Sequence, residues 1–167
     1  MSFEARLAFL DRDGTLIRHI PYLCRPEQVE LLPGTIEGLT GLRQMGFRLV
    51  LASNQSGVGR GYFGMDDVEA VHRRLQALLQ AGGVGLDLLL YCPHAPEAGC
   101  SCRKPGPEMA QRAQRQLGLG LKGAIMVGDS DCDMEFARGL GIRGFRLGSP
   151  ELLTLEGLPA LLNSSNR

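Results

Sequence analysis

The chain has 167 residues, 18 basic and 18 acidic, so it carries no net charge with which to grip nucleic acid or an anionic membrane. No apolar run reaches the roughly 18 residues of a membrane span, and the first residues lack the apolar segment of a signal peptide, so a cytoplasmic protein is expected. One domain of this length buries about 70% of the surface its unfolded chain exposes. The five cysteines are read as free thiols or metal ligands, not as a disulfide framework.

In chain order, Leu7-Ala-Phe-Leu is an apolar run of strand length that ends in Asp11-Arg-Asp13-Gly-Thr15. Residues 17–32 have no clear period and carry Pro21 and Pro26, so they read as loop. Pro33 opens a helix to about Gln44, closed by Gly46, and Phe47 to Ala52 is a buried strand running into Ser53-Asn54-Gln55-Ser56. Gly57, Gly59, Gly61 and Gly64 mark a mobile loop, and helical spacing then predicts a helix over 66–81. Leu86 to Tyr91 is a third strand, and residues 92–107 form an irregular insertion. A helix over 107–117, a strand over 123–128, a helix over 134–140 and a strand over 142–147 follow. A last helix is expected near 151–162, with a frayed tail over 163–167. This alternation predicts one α/β domain over 1–167, a doubly wound parallel sheet with helices on both faces.

Each polar cluster falls directly after a strand, and in a parallel sheet those ends share one edge. Asp11 and Asp13, two apart on an extended chain, point the same way. Alone, Asp-x-Asp-Gly also suits a polar turn capping a core strand. Gly128-Asp129-Ser-Asp131-Cys-Asp133 brings further carboxylates to that edge, and crowded carboxylates at neutral pH need a cation or a shared proton. An all-oxygen site of few carboxylates suits Mg²⁺, with Asp129 nearest the strand end; Asp131 is read as a helix N-cap. Ser53 to Ser56 offers hydroxyl, amide and backbone N–H donors to phosphate oxygens.

Cys92-Pro-His94, five further residues and Cys100-Ser-Cys102 place three thiols and an imidazole within eleven residues, a closed shell that structural Zn²⁺ prefers. This loop, 92–102, hands on to Arg103-Lys104-Pro105. Sixteen of the 18 basic residues are Arg, so Lys104, one of two lysines, stands out as a point charge for phosphate oxygen. His72, inside a helix, is read as a solvated flank. Cys24 and Cys132 are read as small thiols of little information.

Asp11-x-Asp13-Gly-Thr15, Ser53, Lys104 and Gly128-Asp129-x-x-x-Asp133 resemble, in order and after the expected strands, the four motifs of the haloacid dehalogenase superfamily. The match spans residues 5 to about 147. Asn54-Gln-Ser-Gly-Val-Gly-Arg60-Gly-Tyr-Phe63 and the cysteine loop are similar to its zinc-loop phosphatases of phosphorylated heptose and of histidinol phosphate. The resemblance implies a Rossmann-like fold with a minimal cap, and hydrolysis of a phosphate monoester of a small phosphorylated sugar. Asp11 is then the nucleophile and Asp13 the general acid and base. Ser53 and Lys104 stabilise the phosphoryl group. His19, Ile20, Pro21, Tyr22, Asn54, Gln55, Ser56, Arg103, Lys104 and Ser130 meet the substrate. Mg²⁺ takes Asp11, Asp13 (through its backbone carbonyl) and Asp129, and Zn²⁺ takes Cys92, His94, Cys100 and Cys102. A monomer is expected. Histidinol phosphate is the alternative substrate, and a non-catalytic zinc-stapled scaffold is the alternative from another class.

Overall fold

The computed structural model describes residues 4–164. Five strands, β1 (Arg6–Leu10), β2 (Phe47–Asn54), β3 (Leu88–Cys92), β4 (Ile125–Gly128) and β5 (Arg143–Arg146), form one parallel sheet in the order β3-β2-β1-β4-β5. The helices are α1 (Thr35–Gln44), α2 (Ser56–Gly59), α3 (Met65–Ala81), α4 (Glu108–Leu117), α5 (Asp131–Leu140) and α6 (Leu158–Ser164). Among the described residues, no helix is long and apolar enough to cross a membrane.

Alternation along the strands divides the core into two layers. Ala8, Leu10, Leu49, Leu51, Ile125 and Val127 face α1, α3 and α6 through Leu39, Leu42, Val71, Leu75, Leu79, Leu158 and Leu162. Leu7, Phe9, Val50, Ala52 and Met126 face α4 and α5 through Met109, Ala110, Ala113 and Phe136. Phe9 meets Phe136 edge to face at 5.7 Å. The chain winds outward from β1 to β2 and β3, then crosses back to β4, beside β1. The sheet's winding reverses between β1 and β4, where a doubly wound sheet opens its ligand crevice at the strands' carboxyl ends.

Three elements and one residue differ from their sequence-based reading. Residues 57–64 open as the single turn α2, which is anchored because Gln55 N–H donates to the Cys92 carbonyl at 2.8 Å and Gly59 N–H to the Pro93 carbonyl at 2.8 Å. The final helix begins at Leu158, after a 3₁₀ turn over Leu155–Gly157. Pro159 explains this, since its ring fits a first helical turn but would break a helix running from 151. Residues 163 and 164 belong to α6; the rest of the expected frayed tail, 165–167, lies outside the described residues. Helix α5 starts at Asp131, three residues early, because Ser130 is its N-cap and forms a capping box with Asp133. Asp131 is therefore not the cap; its exposed carboxylate accepts from Arg146.

His72 is the fourth correction. It is 6% exposed, turned inward with Val68, Leu75 and Leu79 on the buried stripe of α3, and its ring stands edge-on to Tyr91. Burial first, and the Arg12 charge second, lower its pKa from 6.5 to about 3. Between those values the unfolded chain binds the proton and the folded chain does not, so stability falls as pH drops through the window, by roughly 3 kcal/mol at pH 4. His72→Phe keeps an aromatic contact and removes the titration. Its urea midpoint should fall less between pH 7 and pH 4 than that of the parent, and an equal fall would contradict the burial argument.

Candidate active site

The loops after β1, β2, β3 and β4 converge on a cavity of about 500 Å³. Its floor is a buried charge cluster. Lys104, 3% exposed, donates from Nζ to Asp11 Oδ1 at 2.9 Å and to Asp133 Oδ1 at 2.6 Å. Burial alone would lower the lysine pKa, but the Asp11 and Asp133 charges and hydrogen bonds raise it above its ordinary value, so the ammonium persists. Asp11 sits directly after β1. Burial, with Asp133 and Asp13 adding repulsion, pushes its pKa up to about 7 against the opposing pull of Lys104.

Asp133 is the residue the sequence reading left without a role. Its Oδ2 accepts the Ser130 hydroxyl at 2.7 Å and the Ser130 N–H at 3.2 Å, while Oδ1 faces Lys104. The capping box of α5 thus aims a carboxylate at the lysine. Gly128 is required beside it: a Cβ there would lie 2.2 Å from Asp133 Oδ2. Gly14, with φ of 79°, likewise leaves room for Asp129, whose Oδ2 would be 2.2 Å from a Cβ.

Asp11, Asp129 and Asp133 each offer an oxygen within 4.8 Å of the others. Both Asp133 oxygens already have donors, so Asp11 and Asp129 are the pair with capacity for a cation. Burial first, then the Asp133 charge, raises the Asp129 pKa as well. One ammonium among three clustered carboxylates, of which Asp133 is buried and Asp11 and Asp129 half-buried, leaves a deficit of positive charge, and the oxygen-only donor set suits Mg²⁺.

The sequence-predicted substrate residues divide into two groups. His19, Ile20, Pro21, Tyr22, Ser56, Arg103 and Ser130 line the cavity. Tyr22, at φ of 53°, stands at the rim with its ring edge-on to Tyr62. Asn54 and Gln55 also line the cavity but spend their side chains on protein. Asn54 Oδ1 accepts the Lys104 N–H at 2.9 Å and its Nδ2 donates to the Lys104 carbonyl at 3.1 Å. Cys132 donates to that same carbonyl at 3.0 Å, so neither residue is incidental. Gln55 donates to Asp13 and to Ser53 Oγ. Ser53 lies behind the cavity lining, 1% exposed. Arg12, to which the sequence reading gave no role, is 1% exposed and pairs with Asp13.

Beside this cavity, the cysteine loop closes on itself. Cys92, Cys100 and Cys102 place their sulfurs 3.2 to 3.6 Å apart, and His94 Nδ1 lies 3.5 Å from the Cys92 sulfur and 3.2 Å from that of Cys102. A tetrahedral zinc shell with bonds of about 2.3 Å has sulfur edges of roughly 3.8 Å, so the four atoms fit such an ion with small outward shifts. The loop ends at Arg103 and Lys104, joined to Pro105 by a cis peptide bond.

Comparison with known proteins agrees with this geometry. Residues 101–149 match the HAD-hydrolase-like family. The chain is 36% identical over 157 residues to a D-glycero-β-D-manno-heptose-1,7-bisphosphate 7-phosphatase of Pseudomonas putida, covering 92% of this chain and 90% of the relative. It is 40% identical over 133 residues to the protein of that name from Pseudomonas aeruginosa, covering 79% and 75%. Among solved structures, D,D-heptose 1,7-bisphosphate phosphatase from B. bronchiseptica, complexed with magnesium and phosphate, superposes with a TM-score of 0.84 at 30% identity, over 96% of this chain and 99% of that one. The chain belongs to the D-glycero-β-D-manno-heptose-1,7-bisphosphate 7-phosphatase family of HAD-like hydrolases.

Proposed function

We propose that this chain is a Mg²⁺-dependent phosphatase that removes the 7-phosphate of D-glycero-D-manno-heptose 1,7-bisphosphate through a phosphoryl group carried on Asp11. The observation that carries the reading is the Lys104 ammonium held between Asp11 and Asp133 at the mouth of β1, with Asp129 beside it. A surface built only to bind a partner has no use for buried carboxylates converging on one lysine, which disfavours the scaffold alternative. The relatives' names support the sugar.

In this mechanism an Asp11 oxygen bonds to phosphorus as the sugar oxygen leaves, and Asp13 gives that oxygen a proton. Water then attacks the phosphoryl group, passes its proton to Asp13, and frees Asp11. Lys104 draws charge from the equatorial phosphoryl oxygens, and the Ser53 hydroxyl adds its dipole from directly behind the cavity lining. Asp11, Asp129 and the Asp13 carbonyl would hold Mg²⁺, which would supply positive charge to keep Asp11 ionised and offset its repulsion of phosphate. Arg103 reads the second phosphate; it lines the cavity, and its buried Nη1 finds no partner among the described residues. His19 to Tyr22, Ser56 and Ser130 hold the sugar. Zn²⁺ on Cys92, His94, Cys100 and Cys102 keeps Arg103 and Lys104 in place. Cysteines that form no disulfide among the described residues support a cytoplasmic location.

Two measurements test this. With Mg²⁺ present, kcat/KM for the heptose bisphosphate should exceed that for histidinol phosphate by about a hundredfold or more, because only the former offers Arg103 a second phosphate. The reverse order would replace the substrate assignment. Elemental analysis of protein purified without chelators should find one zinc per chain, and Cys100→Ser should lose both the metal and several degrees of Tm. Metal-free protein of unchanged Tm would defeat the zinc assignment.

A further inference from the structure

Asp13 stands apart from the carboxylates that cluster for a cation. Its side chain is held by nitrogen instead. Arg12 donates from Nε to Asp13 Oδ2 at 3.1 Å and from Nη2 to Oδ1 at 3.2 Å. Gln55 Nε2 donates to the same Oδ2 at 3.0 Å and to Ser53 Oγ at 2.7 Å. The ring closes because Gln55 Oε1 accepts from Arg12 Nη2 at 3.0 Å. The chemistry fixes the orientation of the Gln55 amide, since a guanidinium has only donors and a carboxylate only acceptors. Gln55 is 5% exposed, so most of this ring is shut away from water, where charge-assisted bonds are strong and directional.

Counting lone pairs separates the two oxygens. Oδ2 takes two N–H donors, which fill both of its sites in the carboxylate plane; Oδ1 takes one and keeps one open. We propose that Arg12 and Gln55 are positioning residues that clamp Asp13 so that Oδ1 alone exchanges the proton, an inference that rests on the acid and base role of Asp13 given above. In the first half-reaction the proton on Oδ1 passes to the leaving sugar oxygen as its bond to phosphorus breaks and the Asp11–phosphorus bond forms. In the second, the water oxygen bonds to phosphorus, its proton passes to Oδ1, and the Asp11 oxygen departs. Neither Arg12 nor Gln55 gives or takes a proton. They hold the carboxyl in the narrow range of geometry that proton transfer demands.

The test uses leaving groups, because kcat/KM reports only the steps through departure of the alcohol. A sugar oxygen needs the proton; 4-nitrophenolate leaves without one. Gln55→Ala should lower kcat/KM for heptose bisphosphate by about a hundredfold and for 4-nitrophenyl phosphate by less than about fivefold. Gln55→Glu keeps the side-chain volume and the acceptor for Arg12 but turns a donor toward Asp13 into an acceptor. It should show the same bias, and it carries the test if the alanine variant does not fold. Asp13→Asn is the reference and should show the bias at its largest. Equal losses on both esters, or no loss on either, in Gln55 variants while Asp13→Asn remains biased would overturn the clamp. An unbiased Asp13→Asn would instead overturn the acid and base role on which the clamp rests.

Discussion

A lysine ammonium almost wholly removed from water, shared between Asp11 and Asp133, is the constraint around which this molecule is arranged. Stripped of either carboxylate, such a charge costs the fold about 3–5 kcal/mol. Held by both, it stays protonated and faces the cavity. The three residues come from distant parts of the chain and arrive by different means. Asp11 is delivered by the end of the most central strand, and Asp133 is aimed by the first turn of α5, where Ser130 occupies its other oxygen. Lys104 is fixed through its backbone, which Asn54 grips at both N–H and carbonyl and Cys132 grips at the carbonyl again.

That last grip explains why an irregular loop can place a residue as accurately as a strand does. The cysteine loop has no core of its own, but it is tied at several points. Gln55 and Gly59 bind its first carbonyls, its three thiols and the His94 ring close on one another, and Asn54 holds its end. Gly59 admits this closeness, since a Cβ there would lie 2.5 Å from the Ala95 nitrogen. The end of β2 therefore acts mainly as a fastening for the lysine and for Asp13, while Ser56, directly after it, lines the cavity.

The strands, the winding of the sheet and the carboxylates at its edge were legible in the sequence because each rests on a local pattern: apolar runs, helical spacing, and acids directly after strands. What was not legible depends on long-range contact. Asn54 and Gln55 read as phosphate donors because amides in such turns often serve that purpose, and nothing local reveals that Lys104 and Asp13 consume them. Arg12 carried no assigned role, since nothing local marks one loop arginine as buried; its burial depends on a carboxylate and an amide that meet it only in the fold. His72 was legible in principle, lying four residues after Val68 on the apolar stripe, but its polarity outweighed its position. Asp133 was visible as part of a motif, and its partner, Lys104, 29 residues earlier, was not.

The central claim is that Asp11 carries the phosphoryl group, and trapping that group tests it most directly. Protein mixed with heptose bisphosphate labelled at the 7-phosphate and quenched in acid within the first turnover should hold label on the peptide containing Asp11, released by hydroxylamine as expected for an acyl phosphate. The Asp11→Asn protein should hold none. Phosphate released at the full rate with no label ever found on the chain, or equal label on the Asp11→Asn protein, would contradict the account.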